Sequence, residues 1–377
     1  MDAAASMAKP LVQPGAGTAP PTGWARAGRL PGLDWIRGAA AMWVLFYHVD
    51  ITLQKAKYFS LPALSLWSSV GYRGVELFFL LSGFVMAKTY ASQQSAPSRK
   101  EAPAFFVRRL LRIFPAYLVV FLPLFAVAAW KGVGAPPDVP VDGRLFFQNL
   151  LLLPRDDLTT FIPVNAWTLT HELMFYVLFM VSFVSWRGFL SLLAAWGVGS
   201  VVLSVGGIHL PGWAMQTSFL NAYFLIGLLC ALIPWNLPGR WKVPYAAMTL
   251  LALVGAIALE GGQAEVGSSH GHVTQVAYAL AFALVVFGLS NPAASMPAVL
   301  ARVAGYLGRI SYGIYLVNYP VVVVVALIAK ASGLRTFVAP AVLVVAVVLS
   351  VLIAELLYRF VETPAVAYGK TLFRKTL

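Results

Sequence analysis

The first long apolar segment carries an arginine and a histidine that a helix would place on one face. Arg37 and His48 lie eleven residues apart in the stretch LDWIRGAAAMWVLFYHVD. Eleven helical residues cover about 16 Å and complete three turns plus about 20°, so both side chains project in nearly the same direction. Asp34 lies on nearly the same stripe. Ionisable groups inside a bilayer are costly and usually face a bundle interior or a polar cavity, so this stripe indicates a functional site.

The chemistry that these residues suggest is proton transfer beside a bound negative charge. Histidine has the unperturbed pKa best placed for taking and returning a proton near neutrality. We therefore interpret His48 as a catalytic base and Arg37 as a charge-binding residue at another depth. The structural alternative is a histidine at the membrane interface, or one that is hydrogen-bonded to a neighbouring helix.

Two carboxylates are candidates to support His48. Arg73 and Glu76 are three residues apart near the middle of the second apolar segment, so they can form a structural ion pair. Glu172, in the segment NAWTLTHELMFYV, lies at a depth comparable to His48 if this helix enters from outside. A carboxylate there would orient or stabilise an imidazolium. The alternative for Glu172 is a hydrogen bond to a neighbouring arginine or tyrosine.

Basic and aromatic clusters supply candidate binding residues. Arg108, Arg109 and Arg112 precede Pro115 in FFVRRLLRIFP, where they either hold the topology and contact lipid headgroups or grip phosphates. In another stretch, YLGRISYGIYLVNYP, three polar residues lie at three-residue spacing along one helix face: Tyr312, Tyr315 and Asn318. They either pack against neighbouring helices or line a substrate-binding site.

The composition predicts a membrane protein. The 377 residues are 60% hydrophobic and only 11% charged, with a mean hydropathy of +0.79. About 20 apolar residues are needed for a helix to cross the hydrocarbon core. The sequence thus predicts an all-α polytopic fold with about ten transmembrane helices, at 33–53, 63–87, 113–131, 166–186, 188–206, 217–235, 242–260, 273–290, 305–329 and 336–361. Residues 144–154 are too short to span and predict an interfacial helix.

The distribution of charge predicts the topology. Residues 1–30 are rich in Ala, Gly and Pro and are expected to form a disordered cytoplasmic tail. Residues 31–365 form the predicted membrane domain, and 366–377 a short basic cytoplasmic tail. The net charge of +13 is concentrated in segments that are cytoplasmic if the N-terminus is inside, as the positive-inside rule requires. This placement favours membrane lipids, and not nucleic acid, as partners, with both termini in the cytoplasm.

Several familiar catalytic motifs are missing from the sequence. It has no Walker A lysine loop, no zinc-binding HExxH and no Gly-x-Ser-x-Gly elbow. ATP hydrolysis and serine-hydrolase chemistry are therefore disfavoured, and we expect no metal.

Taken together, the motifs resemble those of the acyltransferase-3 family of bacterial integral-membrane O-acyltransferases, which includes O-antigen and nodulation-factor acetylases. The match extends over about 30–365. It rests on five patterns in order: Arg37 with His48; Gly74 to Phe79 with Leu81 to Phe84; Arg109, Arg112 and Pro115; Trp167, Thr168, Leu169, Glu172, Phe175 and Tyr176; and Leu307, Gly308, Ser311, Tyr312, Tyr315 and Leu316 with Glu362 and Pro364.

The resemblance implies a cytoplasmic acyl-CoA donor, most often acetyl-CoA, and an acceptor hydroxyl on a cell-surface carbohydrate or glycolipid. It implies a multi-pass enzyme of the bacterial inner membrane. On this hypothesis His48 is the base, supported by Glu76 or Glu172. Expected donor-binding residues are Arg37, Arg109 and Arg112, and expected substrate-binding residues are Asp34, Trp167, Tyr312, Tyr315 and Asn318.

One position departs from the family pattern, and one rival function remains. Where many members have a histidine after the SYxIYL stretch, this chain has Asn318, which forms hydrogen bonds but does not shuttle protons at neutral pH. A transporter or flippase for a lipid-linked sugar fits the helices and buried charges equally well. Transporters often show repeated halves, and we find no internal repeat.

Overall fold

The computed structural model describes residues 30–91, 98–132, 139–233, 237–261, 271–291, 296–333 and 338–373. Within these ranges the regular secondary structure is helical and no strand is present. The predicted all-α class is therefore confirmed. Of the predicted N-terminal tail, 1–29 lies outside the described residues, and the predicted C-terminal tail begins inside the last helix.

Fourteen α-helices follow one another along the described chain. They are α1 (Pro31–Gln54), α2 (Leu66–Ser69), α3 (Gly74–Ala91), α4 (Ala102–Lys131), α5 (Gly143–Leu150), α6 (Trp167–Phe179), α7 (Trp186–Val205), α8 (Ala222–Leu232), α9 (Lys242–Gly261), α10 (Gly271–Ser290), α11 (Ala298–Arg309), α12 (Ser311–Ala331), α13 (Val338–Leu357) and α14 (Thr363–Leu372). A π-helical turn, Tyr358–Glu362, joins α13 to α14. The short α5 lies where an interfacial helix was predicted.

The length and apolarity of the helices confirm a multi-pass membrane protein. Seven segments of the described chain are long and apolar enough to cross a bilayer: Arg99–Lys131, Val164–Phe183, Trp186–Val205, Gly239–Gly261, Gly271–Ser290, Ser311–Ala331 and Pro340–Leu372. Helices α1, α3 and α8 are not among them, and α8 has only 11 residues. The predicted count of about ten spans is therefore not confirmed, although each predicted span contains a helix.

The second predicted span, 63–87, is not one continuous helix. Ser65 caps the four-residue α2 by accepting from the Ser68 backbone, and Ser68 caps in return. A 3-10 turn, Gly71–Arg73, then leads into α3. Glu76 therefore lies in the first turn of α3, and not near the middle of a long helix as predicted.

Glycines allow the helices that carry the site to approach closely. A Cβ on Gly227 of α8 would lie 1.8 Å from the Leu80 carbonyl oxygen of α3. A Cβ on Gly308 of α11 would lie 2.0 Å from the Asp34 carbonyl oxygen of α1. Only glycine permits such contacts, which are a common packing device in membrane proteins. Helix α1 thereby packs among α3, α10, α11, α12 and α13, so its polar face is turned into the bundle.

The connecting segments before α6 and after α7 are joined by Asp156. Its carboxylate accepts from the backbone N–H of Gly212 at 2.5 Å and of Ala214 at 3.0 Å, and these bonds lower its pKa. The folded pKa lies below that of an unfolded aspartate, about 3.9, so the stabilisation is present above that pH and is lost as pH falls through the folded pKa.

We expect hydrogen exchange of the Gly212 and Ala214 amides to accelerate below about pH 4 relative to the intrinsic rate. In Asp156→Asn this additional acid dependence should disappear; its persistence would contradict the assignment.

Candidate active site

A narrow cavity collects many of the predicted polar residues where α1, α3, α4, α6 and α12 meet. We refer to it as the inner cavity; its volume is about 80 Å³. Five of the predicted site residues line it. They are Arg37 of α1, Arg112 of α4, Glu172 of α6, and Tyr312 and Tyr315 of α12, joined by Ser82, Thr168 and Ser311 among others.

Glu172 is the carboxylate of the inner cavity. The Ser82 hydroxyl donates to it at 3.4 Å, and the Tyr176 hydroxyl also donates to it. The negative charge of Glu172 attracts the Arg37 guanidinium, whereas the positive charge of Arg112 repels it. Glu172 therefore lies at the level of the arginines, and the hydrogen bonds that the structure shows for it do not go to His48.

The two tyrosines of α12 are held in the cavity wall by hydrogen bonds. Thr168 donates to the Tyr315 hydroxyl at 2.9 Å, and that hydroxyl donates to the Asn165 carbonyl at 3.0 Å. The Tyr312 hydroxyl donates to the Ile113 carbonyl at 2.8 Å. The Asn165 side chain in turn donates to the Tyr315 carbonyl. Sequence analysis assigned no role to Asn165, whose partners are about 150 residues away.

His48 is buried and faces Asn318 of α12. Its Nδ1 lies 2.7 Å from the Asn318 Oδ1, and its ring is flanked by Tyr47 and Tyr319 with centroids at 5.4 and 5.1 Å. An amide oxygen can only accept, so Nδ1 carries the proton in this bond and Nε2 keeps its lone pair. The histidine is 8% exposed and lies inside the bundle. The contact with Asn318 therefore favours the tautomer whose Nε2 can accept a proton.

The inner cavity ends short of His48. Helices α1 and α12 run in the same direction, because Arg37 and Tyr312 meet at the cavity and His48 and Asn318 meet farther along. Tyr315 lines the cavity, and Asn318 is three residues, about 4.5 Å, farther along the helix. Among the polar residues of α12 in the cavity wall, Tyr315 is thus the one nearest along the helix to Asn318, the partner of His48.

Comparison with known proteins identifies the family. A family model described as an acyltransferase domain, acyltransferase-3, matches residues 30–359. The chain belongs to the acyltransferase-3 family. Both the predicted resemblance and the predicted enzyme class are thereby confirmed at the level of the family.

Curated relatives of this acyltransferase-3 chain are described as O-acetyltransferases. Peptidoglycan O-acetyltransferase OatA of Listeria monocytogenes is 22% identical over 364 residues, covering 89% of this chain and 55% of the relative. Putative peptidoglycan O-acetyltransferase YrhL of Bacillus subtilis is 24% identical, covering 90% and 55%. O-acetyltransferase OatA of Staphylococcus aureus is 24% identical, covering 89% and 57%. The chain therefore spans about half the length of these relatives. No solved structure matches it.

Glu76 of this acyltransferase-3 protein belongs to a separate buried ion cluster. Its carboxylate lies 2.5 Å from the Arg73 guanidinium and accepts from the Tyr223 hydroxyl at 2.5 Å. Arg73 also pairs with Glu260 of α9 at 2.9 Å, and the Tyr72 hydroxyl donates to that carboxylate. These bonds join α3, α8 and α9 and do not reach His48. Sequence analysis missed Glu260. Its position as a lone carboxylate in an apolar segment is the signal that could have identified it.

The remaining predicted binding residues lie beside the inner cavity. The Arg109 guanidinium lies over the rings of Phe105 and Tyr176, at 5.2 and 5.4 Å from their centroids. The Trp167 ring packs against that of His171 at 5.6 Å. Asp34 lies one turn before Arg37 and interacts with it electrostatically. None of these predicted residues lines the cavity.

Proposed function

We propose that the chain is a membrane O-acyltransferase that moves an acyl group, of acetyl size, from acyl-CoA to a hydroxyl of a cell-surface carbohydrate or glycolipid. The observation that carries this proposal is the placement of polar groups at two levels of α1, which are separated by the apolar segment 38–46. Two arginines and a carboxylate share the inner cavity, and a histidine with a free Nε2 lies about 16 Å farther along the same helix. Family membership supports the reaction class.

The arginines are suited to the donor. Arg37 and Arg112 would hold the CoA phosphates, because guanidinium groups bind phosphate oxygens in a bidentate manner. Arg109 would add positive charge from beside the cavity. At about 80 Å³ the cavity is smaller than most small-molecule sites, so it would have to widen to admit the pantetheine arm. Opening past Tyr315 would bring the thioester towards His48.

His48 would then act as the general base. Its Nε2 takes the proton of the acceptor hydroxyl, whose oxygen attacks the thioester carbonyl. The carbon–sulfur bond breaks as the carbon–oxygen ester forms, and the leaving thiolate takes the proton back from the imidazolium. Asn318 keeps the Nδ1 proton in place, and its Nδ2 has no hydrogen-bond partner among the described residues.

The location of the charges supports an orientation in the bacterial inner membrane. Basic residues cluster in the segments on the Arg112 side, so this side would face the cytoplasm with both termini. Acyl-CoA would enter from there, and the acceptor would reach His48 from the opposite side. The names of two relatives include peptidoglycan, which supports a carbohydrate acceptor.

The deciding experiment measures thioester consumption by the purified full chain in lipid vesicles. Acetyl-CoA and a cell-wall glycan fraction are supplied, and free CoA thiol and glycan ester are quantified together. We expect the two products to appear in equal amounts and only with the protein. A transporter or flippase has no reason to consume acyl-CoA, so transport of lipid-linked sugar without thiol release would overturn the proposal.

Asn318 provides a test of how His48 is oriented. Asn318→Ala removes the acceptor at Nδ1, so both tautomers become populated and the ring is free to turn. Loss of the group that orients a metal-bound histidine typically costs about 10- to 100-fold in activity, and we expect the same range for this histidine. We expect acyl transfer by Asn318→Ala to fall by about that factor, mainly in kcat, and Asn318→Asp to retain more activity because it still accepts. An unchanged kcat in Asn318→Ala would contradict the assigned role.

A further inference from the structure

A second cavity lies beyond the inner one along α4. Arg112 lines the inner cavity, and Tyr117, five residues later, donates to the Asn149 carbonyl of α5 at 2.8 Å. The second space, called the outer cavity, has a volume of about 340 Å³, within the usual range for small-molecule sites. Its lining comprises Val139, Pro140, Asp142, Arg144, Leu145, Gln148, Arg155, Asp157 and Thr160.

The outer cavity contains a buried guanidinium with unused donors. All three side-chain nitrogens of Arg155 are buried and have no hydrogen-bond partner in the described part of the chain. The guanidinium lies on the face of Phe161, at 3.7 Å from the ring centroid, which fixes the plane in which its N–H groups point. Burial lowers its pKa only to about 10, so the group is positively charged at neutral pH.

The two aspartates of the lining form hydrogen bonds elsewhere and none with Arg155 among the described residues, although the charge of Asp157 acts on it. Asp142 caps α5 by accepting from the Leu145 N–H at 2.8 Å. Asp157 accepts from both the backbone N–H and the hydroxyl of Thr159, at 2.8 and 2.7 Å. Burying a charge without a hydrogen-bonded partner is unfavourable, so a retained arginine of this kind is suited to an anion that arrives from outside.

We infer that the outer cavity binds the carboxylate of an acidic sugar unit in the acceptor glycan, with Arg155 as its bidentate partner. This inference rests on the proposed function, whose acceptor class it specifies. The formal charges of the lining sum to zero, since Arg144 and Arg155 are balanced by Asp142 and Asp157. The two aspartates repel any anion, but they repel the single charge of a carboxylate less than the charge of a phosphate dianion. The Gln148 amide is available in the same lining for sugar hydroxyls.

The outer cavity is connected to the inner site by a hydrogen-bonded segment. Asn149 donates to the Thr160 carbonyl at 3.1 Å and accepts from the Ile162 N–H at 2.8 Å. Three residues after Ile162, the Asn165 side chain donates to the backbone carbonyls of Tyr315 and Leu316. An acidic sugar held at Arg155 would therefore lie beside the segment that positions the wall of the inner cavity.

The test uses the full chain in detergent and measures ligand-induced stabilisation. The probes are glucuronate, glucose as the uncharged analogue, inorganic phosphate and acetyl-CoA. We expect wild type to be stabilised by glucuronate and not by glucose. Arg155→Met keeps the packing on Phe161 but removes the donors, and its glucuronate Kd should rise by about 10- to 100-fold, as expected for a charge-assisted pair. Arg187→Met, an exposed arginine outside the cavity, should bind glucuronate like wild type.

The fold of the variant and the proposed function are checked separately. Without ligand, Arg155→Met should melt no lower than wild type, because it removes an unpaired buried charge. If it does not fold, Arg155→Lys, which keeps the charge but loses the planar pair of donors, should show a weaker glucuronate response. No glucuronate binding by wild type, equal binding by Arg155→Met, or tighter binding of phosphate would each overturn the inference. A missing acetyl-CoA response in wild type would contradict only the proposed function.

Discussion

Replacing His48 with alanine should abolish detectable acyl transfer while the protein remains inserted in the membrane. General-base action is typically worth about 10²- to 10⁴-fold in rate, and here the residue is also the only group assigned to accept the hydroxyl proton. The loss should appear in kcat, since the arginines of the inner cavity still bind the donor. Product ester is measured by mass spectrometry of glycan from vesicles that contain equal amounts of folded protein.

Two further variants make this test specific. His48→Gln can still form a hydrogen bond to Asn318 but has no basic nitrogen, so it should be as inactive as His48→Ala. His209→Ala changes an exposed histidine elsewhere in the chain and should leave transfer unchanged. A well-folded His48→Ala variant that acylates at the normal rate would rule out the mechanism.

The second large effect that we expect is a loss of stability when Arg73 is replaced. Replacing this residue with methionine leaves Glu76 and Glu260 buried without their shared counter-charge. Removing one partner of a buried ion pair typically costs about 3–5 kcal/mol. We therefore expect Arg73→Met to lower the melting temperature strongly in detergent. The exposed pair Arg359 with Glu355 is the matched control, because the Arg359 side chain is 67% exposed and such pairs contribute about 0–1 kcal/mol.

The same experiment separates a structural from a catalytic role for Glu76. If Glu76 acts through the ion cluster, Glu76→Gln should lose stability and activity together. A Glu76→Gln protein that is fully stable but inactive would indicate that Glu76 has a catalytic role. Conversely, an Arg73→Met protein as stable as Arg359→Met would show that the cluster contributes little to the fold.

Helix periodicity explains why part of the site could be predicted from the sequence. Arg37 and His48 share one face because eleven residues nearly complete three turns, whatever the neighbouring helices do. The pairing of Arg73 with Glu76 was predicted for the same local reason and is observed. The family was also predictable, since its motifs are short local patterns in a fixed order.

Contacts between distant helices could not be predicted in this way. The hydrogen-bond partner of His48 is Asn318, which is 270 residues away in the sequence. From the sequence, Asn318 stood out mainly because asparagine does not shuttle protons as a histidine at that position would. Glu172 was placed at the depth of His48, whereas the structure places it in the inner cavity with Arg37.

The sequence by itself determined the helical membrane class, the family and the polar face of α1. Only the tertiary structure decided that an amide contacts His48, that Glu76 joins Glu260 in an ion cluster, and that the guanidinium of Arg155 is buried with no hydrogen-bond partner among the described residues. The physical reason is that the direction of a side chain follows from local helix geometry. Its partner depends on how helices cross, which here is set by backbone contacts at glycines such as Gly227 and Gly308.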